Sequence, residues 1–307
     1  MQFSHNGLII ALDNGNGDIS FISHAHSDHV NGVKRSKKHS IIASEETIAL
    51  ANLAGEFVPL MRGARLLNAG HILGSRQLLV EDEQSGKISV YTGDISLSDN
   101  IIVKGCEVPT ECDKLVLDAT YADPKYVFPS YDDVCSSISK WVNDNRNCNL
   151  VIGAYDLGKA QEVVKILNEY SKVVPLVTEK AARFCDVYKK FGVKLDWFEV
   201  GTDEAEKAMR DSFVAIVPMR KATRYFCRRL SEAFGRKTLC AVATGWALTH
   251  RFDTDTAFPL SDHADFNDLK RYVEESGVKE LSFIQGEGNH LRSLVEKKLI
   301  TTSATIV

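Results

Sequence analysis

The sequence of 307 residues has no apolar run near the roughly 20 residues that a membrane-spanning helix needs. Its N-terminus also lacks the basic region, apolar segment and small-residue cleavage site that mark a secretory signal. The seven cysteines form no Cys-x-x-Cys pair, and their odd number and scattered spacing predict free thiols, not disulfides or a zinc ribbon. These absences argue against a membrane protein and predict a globular chain in the cytoplasm.

A strong net charge is missing as well. The net charge is −4, so bulk electrostatics do not predict nucleic-acid binding. Basic residues are instead concentrated between residues 220 and 237, where Tyr225 and Phe226 interrupt them and Glu232 is the single acid. Such a stripe can follow a phosphate backbone or can be a solvated helix face, and charge alone does not decide between them. The candidate contact residues are Arg220, Lys221, Arg224, Arg228 and Arg229.

Two patterns of secondary structure follow one another along the chain. In the first part, short strands alternate with turns, including a predicted hairpin of residues 78–82 and 87–94. In the middle part, helices with one apolar face alternate with buried strands such as 149–155, a pattern typical of an α/β domain. The change predicts a discontinuous core, residues 1–124 and 245–307, with an α/β insertion at residues 125–244.

The stretch "SHAHSDH", residues 23 to 29, places three histidines and an aspartate in a predicted loop after a short strand. In an extended loop, the alternate residues His24, His26 and Asp28 point to one side, and His29 turns to the other. Imidazole and carboxylate groups suit zinc or another borderline divalent ion, and two ions could share such a loop. Two further candidate ligands stand near the ends of other predicted strands, and they are His71 and Asp94.

Several motifs carry a family resemblance. "HAHSDH" resembles the H-x-H-x-D-H signature of the metallo-β-lactamase fold, a four-layer αββα sandwich. Downstream, Asp118 in "LDATYAD" and His263 in "FPLSDHAD" resemble two motifs of the β-CASP nucleases, in which an α/β domain is inserted into that fold. "AYDLGKAQ" and "TGWA" further resemble the ligase-associated DNA exonucleases and the archaeal messenger-RNA 3′-end processing factors. The resemblance covers nearly the whole chain and implies an α/β protein, an αββα sandwich with an inserted β-CASP domain.

The resemblance implies one or two Zn²⁺ ions, or Mn²⁺ in their place, and a phosphodiester substrate. One ion would be held by His24, His26, His71 and Asp94, and the other by Asp28, His29 and Asp94. The catalytic residues would be Asp28, Asp118 and His263, with Asp118 orienting His263 to protonate the leaving group. Asp13 and Asp265 would either fix the orientation of the ligands or be ordinary surface residues.

One position departs from the family pattern. The RNA-cutting members usually carry a histidine in an HGE-like triplet, and this chain reads "IQGEGNH" with Gln285 there. An amide oxygen is a weaker ligand than an imidazole, so we expect a weaker second metal site unless His290 folds back toward it. The Artemis-like DNA nucleases also lack this histidine, which favours DNA over RNA.

Lys159 in "AYDLGKAQ" is a separate candidate. It opens a helix directly after a strand, where free backbone N–H groups and an ammonium group could receive a phosphate. A structural turn between strand and helix explains the same pattern.

The preferred hypothesis is a metal-dependent nuclease that hydrolyses phosphodiester bonds in DNA, as an exonuclease in repair or end processing. Its partner would then be nucleic acid and not a membrane. The close alternative is a nuclease that processes RNA 3′ ends. A small-molecule hydrolase of the same fold would need neither the insertion nor the basic stripe. A catalytically silent nucleic-acid-binding subunit would have lost metal ligands, whereas only Gln285 departs from the pattern.

Overall fold

The computed structural model describes residues 1–13, 16–31, 33 and 40–293. The end of the predicted C-terminal core segment, residues 294–307, lies outside this range. The fold is mixed α/β and divides into two compact units. We call them the core unit, residues 1–99, 103–127 and 263–307, and the inserted unit, residues 100–102 and 128–262. Within the described ranges, no helix is both long enough and apolar enough to cross a lipid bilayer.

The core unit contains two five-stranded sheets. The strands of the first sheet, in chain and spatial order, are Gln2–His5 (β1), Leu8–Leu12 (β2), Ile19–Phe21 (β3), Ser40–Ile42 (β4) and Glu56–Phe57 (β5). The second sheet has the order β16-β9-β8-β7-β6. Its strands are Ala64–Asn68 (β6), Arg76–Glu81 (β7), Ile88–Tyr91 (β8), Lys114–Asp118 (β9) and Glu280–Ile284, which is β16 in chain order.

Alternation along β7 shows how the second sheet is covered on both faces. Leu78 and Val80 pack in one apolar cluster with Phe21 of the first sheet. Leu79, between them, packs in another cluster with Tyr272 of the helix Phe266–Glu275. Successive side chains of a strand point to opposite faces, so one face of this sheet meets a sheet and the other meets a helix. The further helices of the core unit include Ser27–Val30 (α1) and Glu45–Ala51 (α2), and Phe266–Glu275 is α8 in chain order.

The inserted unit is built on a six-stranded parallel sheet with the order β12-β11-β13-β10-β14-β15. Its strands are Asn149–Ala154 (β10), Leu176–Val177 (β11), Phe198–Glu199 (β12), Val214–Pro218 (β13), Thr238–Ala243 (β14) and Thr256–Phe258 (β15). Its helices are Tyr131–Asp144 (α3), Lys159–Ile166 (α4), Glu179–Lys190 (α5), Asp203–Ala208 (α6) and Arg224–Phe234 (α7). This unit extends beyond residue 244 because β15 pairs with β14.

The longer predicted elements are confirmed. The predicted hairpin is the antiparallel pair of β7 and β8, and the buried segment 149–155 contains the central strand β10. The prediction that the histidine loop is extended is wrong in its second half, since Ser27–Val30 forms a helical turn.

Candidate metal centre

The predicted metal ligands all follow the carboxyl ends of core-unit strands. His24 and His26 follow β3, His71 follows β6, and Asp94 follows β8. Asp118 ends β9, which runs parallel to β8 and to β16, the strand that Gln285 follows. Since the carboxyl ends of parallel strands meet at the same edge of a sheet, the topology gathers residues that are distant in sequence.

Four donor atoms converge at this edge. His26 Nδ1 lies 3.1 Å from His24 Nε2 and 3.1 Å from His71 Nε2. Asp94 Oδ2 lies 3.4 Å from His24 Nε2 and 3.6 Å from His71 Nε2. A tetrahedral zinc ion with bonds of about 2.0–2.1 Å requires donors about 3.3 Å apart. The spacing and the chemistry of these four side chains therefore fit one divalent ion.

The surroundings of His24 favour its neutral, ligating form. Burial lowers the pKa of His24 well below its usual value, and the neighbouring imidazoles of His29, His71 and His26 lower it further. The Ser23 hydroxyl donates to Asp13 and lies 3.0 Å from His24 Nδ1, so it accepts a hydrogen bond from that nitrogen. This hydrogen bond leaves the lone pair of His24 Nε2 facing the other donors.

Asp13 anchors the histidine loop from outside the donor cluster. It is buried and accepts hydrogen bonds from the Ser23 amide at 2.7 Å, from the Ser23 and Tyr91 hydroxyls, and from His29 Nδ1 at 2.7 Å. Its φ of +54° places it in the left-handed region that aspartate tolerates better than most residues. Asp13 is therefore not an ordinary surface residue, and it fixes the His29 ring and the Ser23 backbone in place. Ser23 and Tyr91 were not identified from the sequence, where each resembles an ordinary strand-end residue.

A second group of donors surrounds His29. Its Nε2 lies 3.4 Å from Asp94 Oδ1, 3.7 Å from Asp28 Oδ2 and 3.4 Å from the Gln285 amide nitrogen. Rotation of that amide by half a turn would present its oxygen instead. Burial lowers the pKa of His29, but the hydrogen bond to Asp13 and the charges of Asp94, Asp13 and Asp28 outweigh it and raise the value to about 9.

Asp94 connects the two groups. Its Oδ1 is buried and has no hydrogen-bond partner among the described residues. Burial raises the pKa of Asp94 to about 7, although His263 and His29 act in the opposite direction. A buried carboxylate oxygen without a hydrogen-bond donor is costly unless a cation approaches it. The second group lies in a more open position, because the Asp28 side chain is 63% exposed, and its three donors do not converge as closely as the first four.

The helical turn at Ser27–Val30 changes the predicted directions within the loop. Asp28 does not join the group of His24 and His26, since its side chain faces solvent. His29 does not turn away, and its ring lies 4.1 Å from that of His24, between centroids. The hydrogen bond to Asp13 explains the difference, because it holds the His29 ring in the interior.

Asp118 and His263 form a pair beside the cluster. His263 Nδ1 donates to Asp118 Oδ2 at 2.8 Å, and Asp118 Oδ1 accepts from the Thr120 amide and hydroxyl. Burial raises the pKa of Asp118, but His263 and the Thr120 hydrogen bonds outweigh it and lower the value. His263 Nε2 lies 3.8 Å from Asp94 Oδ2, so this nitrogen of the imidazole faces the donor cluster.

Other candidates lie outside the cluster. Asp265 Oδ1 accepts from the Asp268 amide at 2.9 Å and caps α8, which is a structural role. His290 is exposed, lies in the helical residues 289–293 and does not join either group of donors.

Lys159 requires a correction. Its side chain is buried in the inserted unit, at 1% exposure, and the ammonium lies 2.6 Å from Glu162 and 3.6 Å from Asp262. Burial lowers the pKa of Lys159, but the two carboxylates outweigh it and raise the value. The phosphate contact proposed from the sequence is therefore wrong in this conformation, because the charge is already neutralised inside the fold.

The basic stripe is exposed. Arg220 and Lys221 lie in the turn Met219–Lys221, and the others lie on α7: Arg224, Arg228 and Arg229. Arg224 lies 3.4 Å from Asp255, and Arg229 lies 3.8 Å from Glu232.

Comparison with known proteins gives a consistent set of relatives, although no family model matches the chain. The chain is 31% identical over 287 residues to a probable DNA ligase of Opitutus terrae, covering 87% of this chain and 26% of that protein. It is 25% identical over 289 residues to the DNA cross-link repair 1A protein of Mus musculus, covering 83% of this chain and 27% of that protein. It is 28% identical over 124 residues to an RNase J-like protein of Methanocaldococcus jannaschii, covering 38% of this chain and 29% of that protein. The chain thus spans about a quarter to a third of the length of these relatives.

One solved structure supports the mixed α/β fold. It is the crystal structure of a protein of unknown function from Enterococcus faecalis, with a TM-score of 0.58 and 15% sequence identity. The similarity covers 87% of this chain and 75% of that protein.

Proposed function

The chain belongs to the metallo-β-lactamase/β-CASP family, as its motifs predict, and on this premise we propose that it is a metal-dependent nuclease. The observation that carries the proposal is the convergence of His24, His26, His71 and Asp94, together with the Asp94 oxygen that lies 3.4 Å from His29 Nε2 and has no hydrogen-bond partner among the described residues. We also propose that the core unit is the αββα sandwich and the inserted unit the β-CASP domain.

The four converging donors fit one divalent ion, and we propose that a second ion binds beside it. The first would be held by His24, His26, His71 and Asp94, and the second by Asp28, His29 and Asp94. When bound, Zn²⁺ or Mn²⁺ supplies a water of lowered pKa and neutralises charge on the phosphoryl oxygens. The chain contributes by keeping His24 neutral through burial and by fixing the His29 ring on Asp13.

Proton transfer to the leaving oxygen is assigned to His263. Its Nδ1 is held by Asp118, so a proton on Nε2 is directed toward the donor cluster, where the phosphodiester would lie. Asp118 stabilises the protonated imidazole, and Thr120 fixes Asp118 through two hydrogen bonds. In this proposal His263 is the general acid and Asp118 is the residue that orients it.

The proposed substrate is DNA, cut from an end. A DNA ligase and a DNA cross-link repair protein are among the relatives, and Gln285 stands where RNA-cutting family members usually carry histidine. Because one relative is an RNase J-like protein, RNA is the second candidate substrate.

The cysteines bear on the compartment in which the chain acts. All seven cysteines are free thiols, which supports action in a reducing compartment such as the cytoplasm.

The test is hydrolysis of end-labelled single- and double-stranded DNA, and of RNA of matched sequence, with Zn²⁺ or Mn²⁺. We expect a ladder from one end of DNA that is lost in Asp28→Ala, whose exposed side chain can be removed without unfolding the chain. Cleavage confined to RNA would replace the DNA assignment. If none of these substrates is cleaved, the proposal that the chain is a nuclease is wrong.

A second variant tests the proton donor. Asp118→Asn should lower the rate by about 10²–10⁴-fold while leaving the metal content unchanged. The alkaline limb of the pH–rate profile should move to lower pH, because the carboxylate no longer stabilises protonated His263. Asp123→Asn, the same change at a carboxylate that does not bond His263, is the control. A full rate in Asp118→Asn would contradict this role.

A further inference from the structure

The connections of the inserted unit's sheet change direction at the carboxyl ends of two neighbouring strands. The strands β10 and β13 are neighbours, and the connections that follow them leave in opposite directions. From β10 the chain passes through α4 to β11, and from β13 it passes through α7 to β14 on the other side. In open parallel sheets, ligands bind beyond the carboxyl ends of strands at such a switch in direction.

The register of the two strands determines which residues emerge there. Ala154, the last residue of β10, pairs with Pro218, the last residue of β13. Tyr155 therefore leaves the sheet next to the turn Met219–Lys221. Gly153 lets this turn pack directly on β10, since a Cβ at that position would lie 2.6 Å from the Ala222 Cβ and 3.1 Å from the Met219 Cα. The backbone thus presents an aromatic and two basic side chains at one edge.

Tyr155, the turn Met219–Lys221 and the start of the helix α7 that follows this turn carry exposed side chains. Tyr155 is 48% exposed, and Tyr225, in the first turn of α7, is 61% exposed. Arg220 and Lys221 are exposed and have no ion pair with any described residue. The guanidinium of Arg228 lies 5.5 Å from the centroid of the Tyr225 ring.

Exposed aromatic rings combined with unneutralised cations bind single strands of nucleic acid. Each base stacks on a ring face, and the cations meet the phosphates that connect the bases. A duplex hides its base faces within the stack, so it cannot use the two tyrosines in the same way. An acidic ligand without bases would gain from the cations alone.

We infer that this edge is a binding subsite for single-stranded nucleic acid, formed by Tyr155, Arg220, Lys221, Tyr225 and Arg228. The inference rests on the proposed function, since the bound strand would be the substrate. Binding at this edge requires neither metal nor hydrolysis, so it can be measured apart from them.

The experiment measures fluorescence anisotropy of labelled oligothymidylate about 16 nucleotides long, with oligouridylate and a DNA duplex of the same length as comparisons. The full chain is used with a chelator, so that nothing is cut. Tyr155→Ala and Tyr225→Ala should each raise the Kd for the single strands by about 5- to 150-fold. Tyr155→Phe should bind as the wild type does, because the ring remains.

A matched control separates stacking from a general loss of surface. Tyr170 is 41% exposed and lies in the turn Leu167–Ser171 of the same unit, so Tyr170→Ala should leave the Kd unchanged. Arg220→Ala with Lys221→Ala should reduce the slope of log K against log salt by about 0.7 for each phosphate that the variant no longer neutralises. Unchanged melting temperatures would show that the variants are folded.

The outcomes distinguish the inference from the proposed function. If Tyr155→Ala and Tyr225→Ala bind single strands as tightly as the wild type, the inference is wrong, whether or not DNA is cut. Equal wild-type affinity for duplex and single strand would also overturn it. If the variants bind more weakly but the wild type cuts neither nucleic acid nor bis(4-nitrophenyl) phosphate, the subsite stands and the nuclease proposal fails.

Discussion

The two units hold buried charge in different ways. In the core unit, the Asp94 carboxylate lies among imidazoles, and its Oδ1 has no hydrogen-bond partner in the described part of the chain. In the inserted unit, Oε2 of the Glu162 carboxylate receives the Lys159 ammonium at 2.6 Å, and its Oε1 likewise has no hydrogen-bond partner among the described residues. Buried charge is costly unless an opposite charge accompanies it. The inserted unit supplies that charge as a lysine ammonium, which is not a metal ligand at neutral pH, whereas the core unit surrounds its carboxylate with imidazoles, which are. A buried polar cluster thus indicates a metal site when its members are converging donors and not a lysine–carboxylate pair.

The strongest test of this comparison removes a donor from the core unit. His26→Ala should abolish hydrolysis and weaken zinc binding by more than about 100-fold, because loss of an outer-sphere partner alone costs about 10–100-fold. Metal content after dialysis, measured by elemental analysis, checks the result. His290→Ala makes the same chemical change outside both donor groups and should retain full metal content. Full occupancy in His26→Ala would mean that the four-donor site is not the one that binds zinc.

The next test breaks the neutralised pair of the inserted unit. Lys159→Met leaves the Glu162 carboxylate buried without its ammonium and should lower the free energy of unfolding by about 3–5 kcal/mol. Lys180→Met removes an exposed partner of Asp156 and should cost less than about 1 kcal/mol. Urea denaturation gives both values.

The double change Lys159→Met with Glu162→Leu extends this test. It should recover part of the lost stability, since the fully buried Glu162 charge is removed and only Asp262, whose side chain is 14% exposed, has lost the ammonium. Equal effects of Lys159→Met and Lys180→Met would contradict the distinction between the buried and exposed pairs.

The smallest expected effect is at Gln285, beside the more open donor group. Gln285→His should raise affinity for the second ion by on the order of tenfold, since imidazole is a stronger ligand than an amide. Isothermal titration with Zn²⁺ and elemental analysis measure this change. Gln285→Ala is the control. It also places a residue with a Cβ in the left-handed region, at φ +61°, but its side chain has no donor atom for a metal. Identical affinities in the two variants would show that the second group is complete without this side chain.

The structure brings together four of the predicted ligands of the core unit, His24, His26, His71 and Asp94, while their role as ligands stays a prediction. His71 and Asp94 could be named from the sequence because each is a polar residue near the end of a predicted strand and stands where the family has a motif. The hydrogen bonds that orient the ligands could not be predicted in the same way. Tyr91 reaches Asp13 across the sheets, and no local pattern connects residues so far apart in sequence.

The inserted unit was harder to predict in detail. Its long strands and helices follow from apolar periodicity, but β11 and β12 have two residues each and carry too little pattern to identify. Lys159 had two interpretations in the sequence because a strand followed by glycine and lysine describes both a phosphate loop and a capped helix. Only the three-dimensional position of Glu162 and Asp262 distinguishes them.

The four converging donors come from three separate segments of the chain, after β3, β6 and β8. An unfolded chain cannot gather them, so an ion that binds there adds its binding energy to the folded state alone. At a free concentration one hundred times the Kd, that contribution is about 2.7 kcal/mol. Cellular proteases degrade unfolded chains preferentially, and a shortage of the ion would therefore shorten the lifetime of this protein. The supply of metal would set the abundance of the protein as well as its activity.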